Sequence, residues 1–190
     1  LNCPEGRDLD VTGWKMVIGG SALPRALAEA ALARGIDVLS GYGMSETAPV
    51  LTLAQVKPGL EHGDEVDIRR CAGLPIPLVD LRIVDSSMED LPHDGQAVGE
   101  VVVRAPWLTE GYAKNPDASA QLWAGGYLHT NDIGNIDPNG YLKITDRIKD
   151  VIKRRRIGTP DVSGPGSKPN ANLMAEYLDN TLVGNDVEEI

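Results

Sequence analysis

The stretch from Trp14 to Gly41 sets two apolar runs on either side of an Ala-rich segment, and few folds accommodate that order. Trp14-Lys15-Met16-Val17-Ile18 reads as a short buried strand closed by Gly19-Gly20. Ser21 is a candidate N-cap, and Pro24 falls in the first turn of a helix, where its missing N–H costs nothing. The helix is expected over residues 23–34, with Leu23, Leu27, Ala30 and Ala31 on one stripe and Gly35 ending it. Ile36-Asp37-Val38-Leu39-Ser40 is the second strand. A strand, helix and strand in this order should pair the strands in parallel through a right-handed crossover. Ligands of such units bind beyond the carboxyl ends of the strands. Gly19-Gly20-Ser21 and the segment Gly41–Thr47 both lie there, so they are expected to line one crevice.

The segment Gly41-Tyr42-Gly43-Met44-Ser45-Glu46-Thr47 has the outline of a small-ligand loop. Gly41 and Gly43 let a flat ligand approach the backbone closely. Tyr42 offers a ring face, Ser45 and Thr47 offer hydroxyls for phosphate oxygens, and Glu46 offers a hard anionic oxygen for Mg2+. An ordinary polar turn with a half-buried tyrosine has the same composition, so the loop alone does not decide.

Charge narrows the choice. A formal net charge of −10 argues against nucleic acid as the main partner and against a polybasic membrane-surface mode. It also opposes an anionic ligand, so a phosphate site must be made locally from N–H groups, hydroxyls, a metal ion or a few placed cations. Cys3 and Cys71 have no CxxC spacing, which argues against a disulfide framework or structural zinc and makes a reducing cytoplasm the expected location. No run of 18 apolar residues occurs, so no transmembrane segment is expected.

Residues 55–72 mix charge, Gly and Pro without periodicity and read as a surface loop. Beyond them the pattern changes to period two, at Leu78–Asp85 and less strictly at Gly99–Arg104, joined through Pro92-His93-Asp94-Gly95. Further short strands are expected at 126–130, 135–136 and 141–144, with Asp137-Pro138-Asn139-Gly140 as a hairpin turn and one helix over 116–123. The fold class is therefore α/β followed by mostly antiparallel β. The expected divisions are 1–72 for the α/β part, 73–146 for a small β-barrel-like part, 147–153 for a hinge and 154–190 for a flexible or short-helical tail.

Four stretches in order resemble the ANL adenylate-forming superfamily of acyl-CoA synthetases, peptide-synthetase adenylation domains and firefly luciferase. They are Gly41–Thr47, Gly99–Arg104, Tyr127-Leu128-His129-Thr130-Asn131-Asp132, and Tyr141–Asp150. Gly19–Pro24 and Arg104–Tyr112 are most similar to the medium-chain fatty-acyl-CoA ligase branch. The resemblance implies an ATP-dependent ligase that joins a carboxylate to AMP and then to coenzyme A. Glu46 would hold Mg2+, Thr47 would touch the α-phosphate, and Tyr42 would lie against the adenine, within the loop of Gly41, Gly43, Met44 and Ser45. Gly20 and Ser21 would line the adenine and acyl pocket. Asp132 and Arg147 would address the ribose hydroxyls, and Lys149 would be the hinge of a rotating C-terminal domain. His129 is read as structural, since it has no ligand partners nearby in sequence.

The family pattern is broken at three places. Asn131 stands where the family has Gly, and Asn tolerates the left-handed region better than most residues. The family's upstream phosphate loop has no counterpart before Trp14, and after Lys153 the family's Ser/Thr-Gly-Gly-Glu stretch is replaced by Arg154-Arg155-Arg156 and a Gly/Pro/Ser-rich tail. The expectation is a ligase fragment that binds nucleotide weakly, is inactive alone and is prone to self-association through uncovered apolar surface. A non-catalytic AMP-binding or regulatory module is the alternative from another class, and an amino-acid adenylation domain the alternative among enzymes.

Overall fold

The computed structural model describes residues 9–60 and 65–147, together with Gly6. The chain divides into two units, one ending at Pro77 and the other beginning at Leu78.

In the first unit, β1 (Lys15–Ile18) pairs in parallel with β2 (Asp37–Gly43), and the helix α1 (Arg25–Ala33) makes the crossover. The strands β3 (Val50–Leu53) and β4 (Leu74–Pro75) add antiparallel, giving a sheet of order β1-β2-β3-β4. The helix starts after Pro24 with no side-chain cap, so Ser21 is not the N-cap. Its fixed φ already suits the entry to a helix, and the serine lies too far upstream to reach the first free N–H groups. At the other end Gly35 takes φ +73, its N–H bonds Leu32 O, and Ile36 N–H bonds Ala31 O. Those two bonds satisfy the terminal carbonyls in a Schellman motif.

Helix α1 buries Ala28 and Ala31, which pack with Leu23, Val11, Ile36 and Val38. Leu27 of the expected stripe is exposed. The buried face is centred on Ala28 because small residues let a helix sit close to a sheet. Strand β1 also departs from expectation: Trp14 beside it and its Met16 and Val17 are exposed, because among the described residues little packs over these side chains.

The segment read as a loop, 55–72, contains a six-residue helix α2 (Glu65–Arg70) with no buried residue. Val66 packs against the core of this unit, and charge supplies the rest of the anchoring. Arg69 reaches Asp37 at 2.6 Å, Glu65 at 2.8 Å and Val38 O at 3.0 Å, while Arg70 donates to Leu23 O at 2.9 Å.

The second unit is a four-stranded antiparallel sheet of order β5 (Asp80–Val84), β6 (Gly99–Arg104), β7 (Leu128–Ile136) and β8 (Leu142–Arg147). Among the described residues it does not close into a barrel. Strand β6 is buried from Gly99 through Val103, on both faces, and its three consecutive valines suit a strand covered on both sides. The two short strands expected at 126–130 and 135–136 are one nine-residue strand interrupted by a bulge. Asp137 forms the hairpin turn by accepting from the N–H groups of Asn139 and Tyr141, with Gly140 at φ +86. Helix α3 (Pro116–Leu122) is capped by Asn115, whose side chain accepts from Ala118 N, and has Pro at its start as expected.

A Cβ on Gly43 would lie 1.7 Å from the Pro49 carbonyl oxygen, whereas one on Gly20 meets nothing within 4 Å. Gly43→Ala should therefore cost at least the upper part of the roughly 1–3 kcal/mol range for overpacking. Gly20→Ala, strained only by its φ of +75, should cost about 1–2 kcal/mol. Urea denaturation of the two variants checks the order; equal losses would mean that the strand end near Pro49 is loose.

Candidate functional site

In the first unit the two segments expected to meet do so. Ile18 is paired with Ser40, and a Cβ on Gly19 would stand 3.4 Å from the Gly41 carbonyl oxygen. Gly20 and Ser21 are exposed at this end of β1. The expected loop is not all loop, however. Gly41, Tyr42 and Gly43 continue β2 and pair with Leu53, Thr52 and Val50 of β3, and only Ser45–Thr47 form a turn, a single 3-10 turn. Glycine is needed in this strand for room: a Cβ on Gly41 would meet Val17 Cγ1 at 3.0 Å, and Gly43 lies against Pro49.

Thr47 is the anchor of that turn. It is fully buried, and its Oγ1 accepts from Met44 N–H at 2.9 Å. The same hydroxyl lies 2.9 Å from Met44 O and 2.7 Å from Pro49 O, and its one proton can serve either carbonyl. Ala48 follows at φ +52, which turns the chain back into β3. The arrangement presents Ser45 exposed and Glu46 half-buried on the outer side of the turn, with Tyr42 half-buried beside β3.

Among the described residues no group of three or more His, Cys, Asp or Glu gathers as a metal site. A single turn carboxylate, as Glu46 is, suits Mg2+ in the mode in which one or two carboxylates and a substrate's phosphates share the ion.

In the second unit the site residues lie on a bulge. Thr130, Asn131 and Asp132 stand opposite the single residue Val101, between the pairs Val102↔His129 and Glu100↔Ile133. Asn131 takes φ +57, the left-handed conformation for which Asn is better suited than most residues. Each residue of the bulge is tied down. Thr130 Oγ1 donates to Val101 O at 2.7 Å and accepts from Asp132 N–H at 3.1 Å, and Asn131 N–H donates to Glu100 Oε1 at 3.1 Å. Asp132 is buried, and its Oδ1 accepts from Arg147 Nε at 3.1 Å across the facing positions of β7 and β8. Arg147 itself is largely exposed.

The structure gives His129 and Glu100 more than the sequence did. Glu100 is 2 % exposed, a carboxylate inside a strand of valines, and its Oε2 lies 2.9 Å from His129 Nδ1. His129 Nε2 lies 3.1 Å from Ala124 O. The hydrogen bond to Glu100 raises the histidine pKa above its ordinary value, and the partial burial of the ring only in part offsets it. The signal in the sequence was Glu100 itself, an acid flanked by apolar residues on a buried strand. Lys149 and the rest of the expected hinge beyond Arg147, together with the tail 154–190, lie outside the described residues.

A parallel strand–helix–strand unit followed by an antiparallel sheet is the fold class expected from the sequence. The chain belongs to the family of AMP-binding enzymes, whose family model matches residues 3–113. It is 42% identical over 143 residues to the long-chain-fatty-acid–CoA ligase of Thermus thermophilus, covering 73% of this chain and 26% of that protein. The N-terminal domain of FACL13 from Mycobacterium tuberculosis aligns with a TM-score of 0.65 at 29% identity, over 76% of this chain and 35% of that one. The anthranilate CoA ligase AuaEII, solved with anthranoyl-AMP, aligns with a TM-score of 0.60 at 27% identity, over 72% of this chain and 25% of that one. The chain thus spans about a quarter of the length of the curated relative it matches. No helix among the described residues is long and apolar enough to cross a membrane.

Because the His129 pKa is raised on folding, its contribution to stability is full below the unfolded value of about 6.5 and is lost as pH rises through the folded value. The urea midpoint is therefore expected to fall as pH is raised from about 6.5, and His129→Asn to flatten that fall. A profile that His129→Asn leaves unchanged would mean that the pair with Glu100 is not formed in solution.

Proposed function

We propose that the chain supplies part of the adenylate-binding machinery of an ATP-dependent acyl-CoA ligase acting on a fatty acid of medium length. The substrate carboxylate oxygen attacks the α-phosphorus of ATP and pyrophosphate leaves, giving an acyl-adenylate. The coenzyme A thiol then attacks the acyl carbon, and AMP leaves as the thioester forms. The demand on the protein is to place donors and positive charge where charge builds at phosphorus. When bound, Mg2+ neutralises part of the phosphate charge, and Glu46 is the residue that would hold it.

From the first unit, Tyr42 offers its ring to the adenine, and Gly20 and Ser21 offer open backbone and a hydroxyl beside Gly41. Ser45 and Glu46 are held outward by the turn that Thr47 anchors. In the described conformation the Thr47 hydroxyl is engaged by Met44 and Pro49, so its first contribution is to shape this turn. Contact with an α-phosphate would exchange the bond to one of those carbonyls for a bond to the phosphate.

From the second unit, Asp132 accepts from ribose hydroxyls while Arg147 orients its carboxylate. The observation that carries the reading is this pair: the two residues assigned to the ribose face each other across β7 and β8 at 3.1 Å. Asp132 is buried while its partner is exposed, so an acceptor is fixed by the protein at the edge of solvent. Lys149 remains part of the proposal as the hinge between the two half-reactions.

Calorimetry with AMP and with octanoyl-adenylate tests the reading. Weak binding is expected, reduced about tenfold or more by Asp132→Ala, the scale of a lost hydrogen bond to a charged group. Octanoate, ATP and coenzyme A should give no turnover above a Glu46→Ala control. Heat with neither ligand would refute nucleotide binding by this chain.

A further inference from the structure

We infer that Glu100, supported by His129, is a positioning residue for Asp132: its carboxylate holds Asn131 in the left-handed conformation that sets the bulge. The inference rests on the reading of Asp132 as the ribose acceptor and goes beyond it by naming what places that acceptor.

A non-glycine residue at φ +57 is held against an intrinsic penalty of about 1–2 kcal/mol, and Asn lowers that penalty without removing it. Asn131 has no strand partner on β6, because the register passes directly from Glu100↔Ile133 to Val102↔His129. Its N–H would have no place in the ladder, yet it points at Glu100 Oε1, 31 residues away in sequence and 3.1 Å in space. A charged acceptor makes the stronger kind of hydrogen bond. Glu100 in turn is buried and its other oxygen is answered by His129. A buried carboxylate with both oxygens engaged cannot move without losing a partner, so it is a fixed point.

The flanking bonds complete the device. Thr130 Oγ1 links Val101 O on one side to Asp132 N–H on the other, which clamps the bulge at its ends while Glu100 clamps its centre. With all three engaged, the Asp132 carboxylate is held facing Arg147 before any ligand arrives. Preorganisation of this kind lets a single acceptor discriminate between ligands that differ by one hydroxyl.

The test uses the 190-residue chain and two nucleotides, AMP and 2′,3′-dideoxy-AMP, titrated and followed by NMR. Wild type should prefer AMP by a factor on the order of ten, and Asn131 should show the strong intraresidue HN–Hα NOE of a positive φ. Glu100→Ala should weaken that NOE and remove most of the preference. Should Glu100→Ala not fold, the pair Glu100→Met with His129→Leu fills the same volume without burying an unpaired group and should show the same two losses. Adding Asn131→Gly to either variant should restore the preference, because glycine takes a positive φ without help; a merely structural role for Glu100 predicts no such rescue. If Asp132→Ala abolishes the preference while the Glu100 variants keep it, or if the Asn131 NOE survives in them, the positioning role is overturned and the ribose reading stands. If wild type shows no preference, or Asp132→Ala leaves it intact, the ribose reading fails and the inference with it.

Discussion

The second unit depends on one buried charge. Glu100 lies in a buried strand between Gly99 and three valines, and a carboxylate there is tolerable only if its oxygens are answered. His129 answers one and the Asn131 N–H the other, and both come from β7. The two answers fix where β7 sits against β6 and where its bulge falls. Gly99, next to Glu100, adds to the constraint: a Cβ there would come within 2.4 Å of the Val84 carbonyl oxygen, so β5 and β6 also pack closely at this point. The bulge that carries Asp132 is thus tied to the buried acid through the Asn131 N–H.

The first unit uses a different device for a similar end. Close approach of β2 to the Pro49 carbonyl leaves room only for glycine at position 43, and the chain must then reverse within a few residues to enter β3. Thr47 closes that reversal with a buried hydroxyl. The outward residues, Ser45 and Glu46, are displayed by a turn whose inner side is fully engaged. In both units a small, internally bonded irregularity at a strand end or within a strand presents the polar groups, and regular sheet on either side holds it rigid.

Much of this was legible in the sequence, and the misses have physical causes. The parallel strand–helix–strand unit, the Gly35 helix stop, the Asp137–Gly140 turn and the α3 start are encoded by local chemistry and appear as expected. The helix α2 has no apolar stripe in the sequence: it packs on the core through Val66, and Arg69 and Arg70 hold it through ion pairs and carbonyls that are distant in sequence. The apolar composition of β1 predicts burial, yet Met16 and Val17 are exposed, because composition does not report what packs over a strand. The end of β2 was read as a loop because Gly-Tyr-Gly resembles a turn; its pairing with β3 is a tertiary fact. His129 is structural, as the sequence implies, but its partner Glu100 lies 29 residues away and has no local sign. The family motifs marked Asp132 and Arg147, while the bonds that hold them needed the register of β6, β7 and β8.

The central claim is that the turn at Ser45–Thr47 and the bulge at Thr130–Asp132 are nucleotide-facing elements rather than ordinary irregularities. A backbone-resolved NMR titration of the chain with AMP tests it most directly. The account predicts shift changes concentrated at Gly41–Thr47 and at Thr130–Asp132, with little change in α2 or at the Asp137–Gly140 turn. Changes absent from both segments, or spread evenly over the surface, would contradict it.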